Sequence, residues 1–335
     1  MSLTLTRRTL CIGWVPIVLF LSMSCPAVAE DNATSSEPND GITVEQVLQR
    51  LEQVEAKLHS FRVHCVGNGK IQFTDFRVDK VAPARGRRVV PGMQTKTNSV
   101  WHYQNNGSSR FEADRVQVDV IADGSSQVQR YSAYSVFDGP RGRGKYLWLN
   151  SPDSNDRMSR NNAEKYTSAP QGSLEMCPIE FLTRSSERSF SEELRQEEAE
   201  IARREKLDDR AVVVLATRVR QIPIGPNIDG YLYREFWVDI DRGLVVRLDS
   251  FARDSEESAW NLMLRRESSN YEWDAGSQMW LPTSAKEFGW NINRQGQRKL
   301  YSVVVYAYNH WEINPQIDDE TFSIDQDWSS LKDRR

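Results

Sequence analysis

The fold is decided by a hairpin that reads FWVDIDRGLVVRLD over residues 236–249. The apolar residues that alternate along its two arms are Phe236, Val238, Ile240, Leu244, Val246 and Leu248. Alternation with a period of two is the pattern of a half-buried strand. A short turn rich in Asp and Gly between two such runs indicates an antiparallel hairpin. This stretch therefore predicts two strands that pair as an antiparallel hairpin.

Similar runs occupy most of the chain after Ser60. The clearest is 115–121, where Val116, Val118 and Val120 point to one face and polar residues point to the other. Turn residues separate about eleven such runs, which is too many for a flat open sheet. We therefore predict an α+β protein that is mostly β, in which an antiparallel meander curves strongly into an unclosed barrel.

Two helical regions accompany the meander. Thr43 and Gln46 form a capping box, and apolar residues recur every three or four positions after it, so we predict an amphipathic helix over 43–60. A second region interrupts the meander between about 151 and 197, where Pro178 limits each helical piece to a turn or two. Such short helices can plug an open end of the barrel or lie as a lid across its concave face.

The N-terminus, residues 1–29, is predicted to be a cleavable signal peptide. Two arginines precede the apolar run 10–21, and Ala27-Val28-Ala29 has the small-x-small pattern that signal peptidase cuts. Cleavage is expected before Glu30. Lipidation of Cys25 is an alternative, which would make the protein an anchored acceptor or sensor instead of a free carrier.

The exported chain is predicted to have three parts and to reside in the periplasm, with association with the outer membrane as an option. Residues 30–41 are polar and form a flexible linker. A single folded domain is expected over 42–326, followed by a polar tail at 327–335. No later stretch approaches the eighteen or so uncharged residues of a membrane helix.

Charge excludes one class of partner. Without the two arginines of the signal peptide, 41 basic residues remain against 47 acidic ones, and this balance argues against nucleic acid. One basic cluster comprises Lys80, Arg85, Arg87, Arg88 and Lys96. By default this cluster lies in a solvated loop, and peripheral contact with an anionic membrane surface or an acidic partner is the functional alternative.

The motifs that carry chemistry are missing or fail a test. Residues 139–145 have the spacing of a phosphate-binding loop, but Tyr146 stands where Ser or Thr would hold magnesium, and a strand follows instead of a helix. The histidines are scattered outside any metal-binding spacing. We therefore predict no enzyme activity, no metal and no cofactor.

Cys65 and Cys177 are the two cysteines that remain after export. The sequence is compatible both with a disulfide bridge between them and with two separately buried thiols.

Three stretches resemble one family when they are taken in order with the leader and the helix. Residues 236–247 have its strand, Asp-x-x-x-Gly-Leu turn and return strand, Trp280-Leu281-Pro282 resembles the start of a later strand, and 314–322 resembles its closing segment. This family is the outer-membrane lipoprotein carrier (LolA/LolB-like) superfamily. The resemblance implies an unclosed barrel whose concave face, covered by helices, holds acyl chains or another apolar ligand.

The leading hypothesis is accordingly an exported, non-catalytic protein that binds a lipid or lipoprotein acyl chain in lipoprotein sorting to the outer membrane. The residues expected to line its apolar cavity are Leu48, Leu51, Leu58, Val118, Val120, Phe236, Val238 and Leu248. The alternative is a periplasmic module of the same fold with a filled interior, which senses envelope state or binds an envelope protein. An envelope hydrolase is the third reading.

Overall fold

The computed structural model describes residues 41–72, 93–120, 126–138, 143–150, 165–167, 178–184, 188–225, 228–292 and 298–325. Several predictions concern segments outside these residues. They are the signal peptide with Cys25, the linker up to residue 40, the basic cluster except Lys96, Cys177 and the polar tail. Export, lipidation and the disulfide bridge therefore stay predictions.

The described residues form one antiparallel sheet of fourteen strands. In chain order, β1 to β14 are Ser60–Ile71, Gln94–Gln104, Ser109–Val120, Ser126–Asp138, Arg143–Asn150, Lys165–Thr167, Glu200–Leu207, Arg210–Ala216, Arg220–Gly225, Ile228–Asp239, Leu244–Arg253, Asn261–Asp274, Met279–Ile292 and Arg298–Ile313. Their spatial order is β6-β5-β4-β3-β2-β1-β14-β13-β12-β11-β10-β8-β7, and β9 pairs with β10 beside this order.

The sheet is not closed, because β6 and β7 stand at its two ends in the described residues. The first long strand, β1, pairs with both β2 and β14, so the two halves of the chain join at its centre. The predicted class, a mostly-β antiparallel meander curved into an unclosed barrel, is confirmed. The strand number exceeds the expected eleven because strands as short as the three residues of β6 show no alternation in the sequence.

The hairpin at 236–249 forms as predicted, by β10 and β11. Phe236 lies opposite Leu248, and a bulge follows Trp237. Gly243 closes the turn with a φ of +66°, a conformation that suits glycine. A Cβ at this position would lie 2.8 Å from Cγ2 of Val54, so the turn also packs closely against the first helix.

That helix, α1, spans Val44–Glu55 and has the predicted capping box, in which Thr43 and Gln46 bond each other. The predicted end at residue 60 is wrong. The backbone N–H groups of Lys57 and Leu58 bond carbonyls only three residues back, and β1 then captures the chain from Ser60 between two partner strands. Strand pairing therefore ends the helix early, although the apolar spacing continues to Leu58. No helix of the described residues is long and apolar enough to cross a membrane.

Three shorter helices follow. A 3₁₀ helix spans Pro178–Phe181, a helix of seven residues, α2, spans Phe190–Gln196, and a second 3₁₀ helix spans Asp319–Phe322. Their shortness in the interrupting region agrees with the limit that Pro178 sets. Both α1 and α2 pack on the same face of the sheet, which we call the inner face, and the opposite face is the outer face.

Strand β3 alternates as predicted, but Val116 and Val118 lie on the outer face. The inner, buried positions of β3 are Phe111, Ala113, Arg115 and Gln117, whereas Val116 and Val118 are only half-buried. Phe111 is paired with Trp101 of β2 in the inner core, and every second residue from Phe111 must share its face. Alternation thus groups the valines correctly without telling which face is covered.

Candidate functional site

The helices α1 and α2 form one unit on the inner face, the helix pair. Arg195 of α2 bonds two glutamates of α1, with Nη1 2.6 Å from Glu52 Oε1 and Nη2 3.3 Å from Glu45 Oε1. The carboxylate of Glu55 accepts bonds from the backbone N–H and the hydroxyl of Ser191. Burial raises the pKa of Glu55 above its usual value, against the lowering effect of the Ser191 bonds. These polar contacts tie the two helices to each other.

An apolar cluster fills the space between the helix pair and strands β8, β10 and β11. This lid cluster comprises Val47, Leu48, Leu51, Phe190, Leu194, Ala199, Val213, Leu215, Phe236, Val238, Ile240, Val245 and Leu248. Five of the predicted cavity residues therefore come together: Leu48, Leu51, Phe236, Val238 and Leu248. Each of the five is at most 6% exposed, so the protein's own side chains pack this space.

Leu58 belongs to a second apolar cluster, around β1, β2 and β14. This barrel cluster comprises Leu58, Phe61, Val63, Cys65, Trp101, Tyr103, Phe111, Ala113, Ala133, Ile179, Phe181, Leu182, Met279, Leu281, Ala285, Tyr306 and Tyr308. The 3₁₀ helix at Pro178–Phe181 supplies its cover, with the Phe181 ring 5.8 Å from that of Tyr306. Val118 lies outside both clusters, and the side chain of Val120 is outside the described part. Whether any of these residues contacts a ligand stays a prediction.

A belt of mostly half-buried charges also lies on the inner face. Arg266 of β12 bonds Glu180 of the 3₁₀ helix, with Nη1 2.8 Å from Oε2, and Glu287 of β13, with Nε 3.1 Å from Oε2. Arg234 of β10 pairs with Glu193 of α2. Burial raises the pKa of Glu180 and lowers that of Arg234. Sequence analysis missed this belt because its partners are up to 86 positions apart and no local pattern joins them.

The outer face carries a groove of about 460 Å³. Most of the residues that line it are of polar type, and the full set is His64, Cys65, Val66, Asn98, Ser99, Val100, Glu112, Ala113, Asp114, Tyr134, Asn309 and His310. The rings of His64 and His310 meet edge to face, 5.7 Å apart. Across the part of the chain that the structure describes, no three histidine, cysteine or acidic side chains converge in a way that could hold a metal ion.

The chain was compared with protein-family models, with curated proteins and with solved structures. No family model matches it, and no curated protein matches it. Among solved structures, it is similar to a beta-barrel-like protein of the domain of unknown function DUF1849 from Brucella abortus, at 8% identity and a TM-score of 0.27, over 77% of this chain and 99% of that one. A TM-score this low carries no argument about function.

Proposed function

We propose that this chain is an exported, non-catalytic binding protein that holds an apolar ligand, such as a lipid or lipoprotein acyl chain, between the helix pair and the inner face. The observation that carries the proposal is the lid cluster. Leu48 and Leu51 face Phe236, Val238 and Leu248 in an interface that a movable pair of helices, and not a second sheet, completes.

The energetics of such a site follow from apolar burial. Displacing the helix pair would expose the apolar side chains of β8, β10 and β11. An acyl chain bound to them would bury this apolar area again, with a free-energy gain of about 25 cal/mol per Å². Polar contacts hold α2 to α1, so the pair can move as one lid. Opening then exchanges one apolar contact for another.

The wider role we propose is lipoprotein sorting towards the outer membrane. It rests on the predicted signal peptide and on the resemblance of 236–247 and 314–322 to the lipoprotein carriers. A lidded apolar site in a periplasmic protein is suited to moving acyl chains across an aqueous space between two membranes.

The test is uptake of a fluorescent fatty acid, cis-parinaric acid, by the delipidated protein. We expect saturable uptake, and tighter uptake by Leu48→Ala. Removing this buried side chain destabilises the closed lid by about 2–5 kcal/mol, and a larger open fraction raises the apparent affinity.

Leu244→Ala is the matched control. Leu244 is equally buried but lies in a separate apolar cluster with Val212, Val214 and Trp237 on the outer face. This variant should lose comparable stability in urea unfolding without any change in uptake. Equal effects of the two variants on uptake, or no uptake by either, would refute the lidded site.

A second candidate is a protein-binding or envelope-sensing module of the same fold. It is supported by the tight burial of the lid cluster, in which Phe236 and Val238 are 0% exposed and the interior is filled by the chain itself. In that case the polar groove on the outer face, around His64 and Glu112, is the better surface for a partner. Absence of fatty-acid uptake, together with an envelope protein that crosslinks through this groove, would favour this function.

A further inference from the structure

One buried arginine on the inner face has two nitrogens without a hydrogen-bond partner in the part of the chain that the structure describes. Arg115 of β3 is 4% exposed, and its Nε and Nη1 nitrogens have no hydrogen-bond acceptor among the described residues. A guanidinium carries five N–H donors and keeps its proton in proteins. Buried charges are almost always paired, because an unpaired charge is strongly disfavoured in a medium of low polarity. Within the described part of the chain, Arg115 therefore carries a positive charge without a counter-charge.

A second buried polar group without a partner among the described residues lies beside Arg115. Thr97 lies directly opposite on β2, is 2% exposed, and its hydroxyl also lacks a partner among the described residues. Gly67 stands opposite Thr97 on β1, so the next strand places no side chain there. Gln117 is buried on the same face of β3. The guanidinium of Arg115 and the hydroxyl of Thr97 thus lie side by side on the inner face.

The described groups around Arg115 compensate the charge of its guanidinium poorly. The ring of Tyr131 lies 5.9 Å from the guanidinium carbon of Arg115, near the outer limit of about 6 Å for an attractive contact. None of the inner-face side chains that the structure describes on β1 to β4 is acidic. Within these described strands, no acidic side chain of the inner face therefore balances the charge of Arg115.

We propose that Arg115 and Thr97 together bind the carboxylate of an organic acid. A carboxylate brings one negative charge, matches a guanidinium in planar geometry and accepts two bonds from it. A phosphate monoester would bring about −1.5 to −2 charges at pH 7, and the single positive charge of Arg115 neutralises only one of them. The site lies on β2 and β3, apart from the lid cluster on β8, β10 and β11, and does not depend on the lid.

Calorimetric titration of the purified protein with sodium octanoate tests the site. We expect octanoate to bind better than octanol, which has the same chain without the charge. Arg115→Met should weaken octanoate by about tenfold to hundredfold, since it removes a charge-assisted bond, and Thr97→Val by a smaller factor. Octanol should bind all three proteins alike. Inorganic phosphate that displaces octanoate with equal or higher affinity would overturn the assignment to a carboxylate.

Thermal unfolding separates binding from a structural role. Methionine fills much of the arginine's volume without its charge, so Arg115→Met should raise the melting temperature of the ligand-free protein. Arg130→Met is the control, because Arg130 is exposed on the adjacent strand β4, and it should change neither property. Octanoate affinity that survives in Arg115→Met, together with a lower melting temperature, would overturn the proposal and make Arg115 structural.

Discussion

Asp249 is only 1% exposed although it lies on the outer face of β11. Two arginines enclose its carboxylate: Arg265 Nε is 2.8 Å from Oδ1, and Arg247 Nε is 3.0 Å from Oδ2. Arg247 in turn lies over Trp237, 4.1 Å from the ring centroid. The carboxylate of Asp249 is thus the shared counter-charge of Arg247 and Arg265 on this face of the sheet.

Asp249→Asn should destabilise the protein by about 2–4 kcal/mol. Removing one partner from a buried ion pair generally costs about 3–5 kcal/mol, and partial exposure of the two arginines, at 15% and 27% of their side chains, reduces that loss. The urea midpoint measures the change.

Glu312→Gln is the control for that substitution, because the pair of Arg62 and Glu312 spans 3.6 Å with both side chains about half exposed. It should change stability by less than about 1 kcal/mol. Similar midpoints for the two variants would show that Asp249 is not the centre of this network.

At the scale of single residues, the sequence predicts shared faces but not partners. Alternation in 115–121 separates Val118 from Arg115, and the structure keeps that separation. Which of the two is buried depends on Phe111 and Trp101 across the sheet. Period two is a local property, whereas burial is decided by strands and helices elsewhere in the chain.

On β10, Phe236 and Val238 share the covered face as their alternation predicts. On β11 the bulge breaks the alternation, so that Leu244 and Val246 lie on the outer face and Leu248 on the inner one.

The side chain of Asn314 bonds the junction of α1 and β1 to the end of β14. Asn314 Oδ1 accepts bonds from the backbone N–H of His59 at 2.7 Å and of Ser60 at 3.2 Å, and its Nδ2 donates to Lys57 O at 2.8 Å. Its φ of 53° is a conformation that asparagine tolerates better than most residues. One residue therefore holds a helix end, a strand start and a strand end together.

Asn314→Gly should lower the free energy of unfolding by about 2–3 kcal/mol. Glycine adopts the positive φ without strain, so the change isolates two or three hydrogen bonds of about 1 kcal/mol each. Chemical denaturation gives the magnitude, and amide exchange at Ser60 should report the opening of the junction.

Asn314→Asp serves as the comparison, since it keeps the acceptor for His59 and Ser60 and loses only the donor to Lys57. Its loss should be the smaller of the two. A loss at Asn314→Gly below about 0.5 kcal/mol would mean that strand pairing alone holds this junction.

Elements are predicted well where their signals are local. The capping box marked the start of α1, and the Asp241-Arg242-Gly243 turn marked the hairpin, because the residues that form each contact lie within a few positions. The end of α1 was missed because it depends on β14, 255 positions from His59. No local pattern carries that pairing, and the polar belt around Arg266 was missed for the same reason.

The whole molecule must protect the two ends of an open sheet. An uncovered edge strand presents unpaired N–H and C=O groups that can pair with another chain, and charged side chains along the edge discourage this. Strand β7 stands at one end and alternates between exposed and half-buried positions. Two of its exposed positions are Arg204 and Lys206. We expect these charges to discourage pairing of β7 with another chain.

Replacing both Arg204 and Lys206 by valine should therefore produce dimers or larger aggregates, measured by light scattering on a sizing column, while β content by circular dichroism stays unchanged. The same replacement at Lys70 and Lys286 is the control, because these exposed lysines lie on β1 and β13, which have partner strands on both sides. Loss of charge is equal in the two double variants, and the edge variant also loses the bond from Arg204 Nη2 to Ile42 O at 3.0 Å. Aggregation of both variants to the same degree would point to solubility, and a monomeric edge variant would show that β7 is protected by something other than its charges.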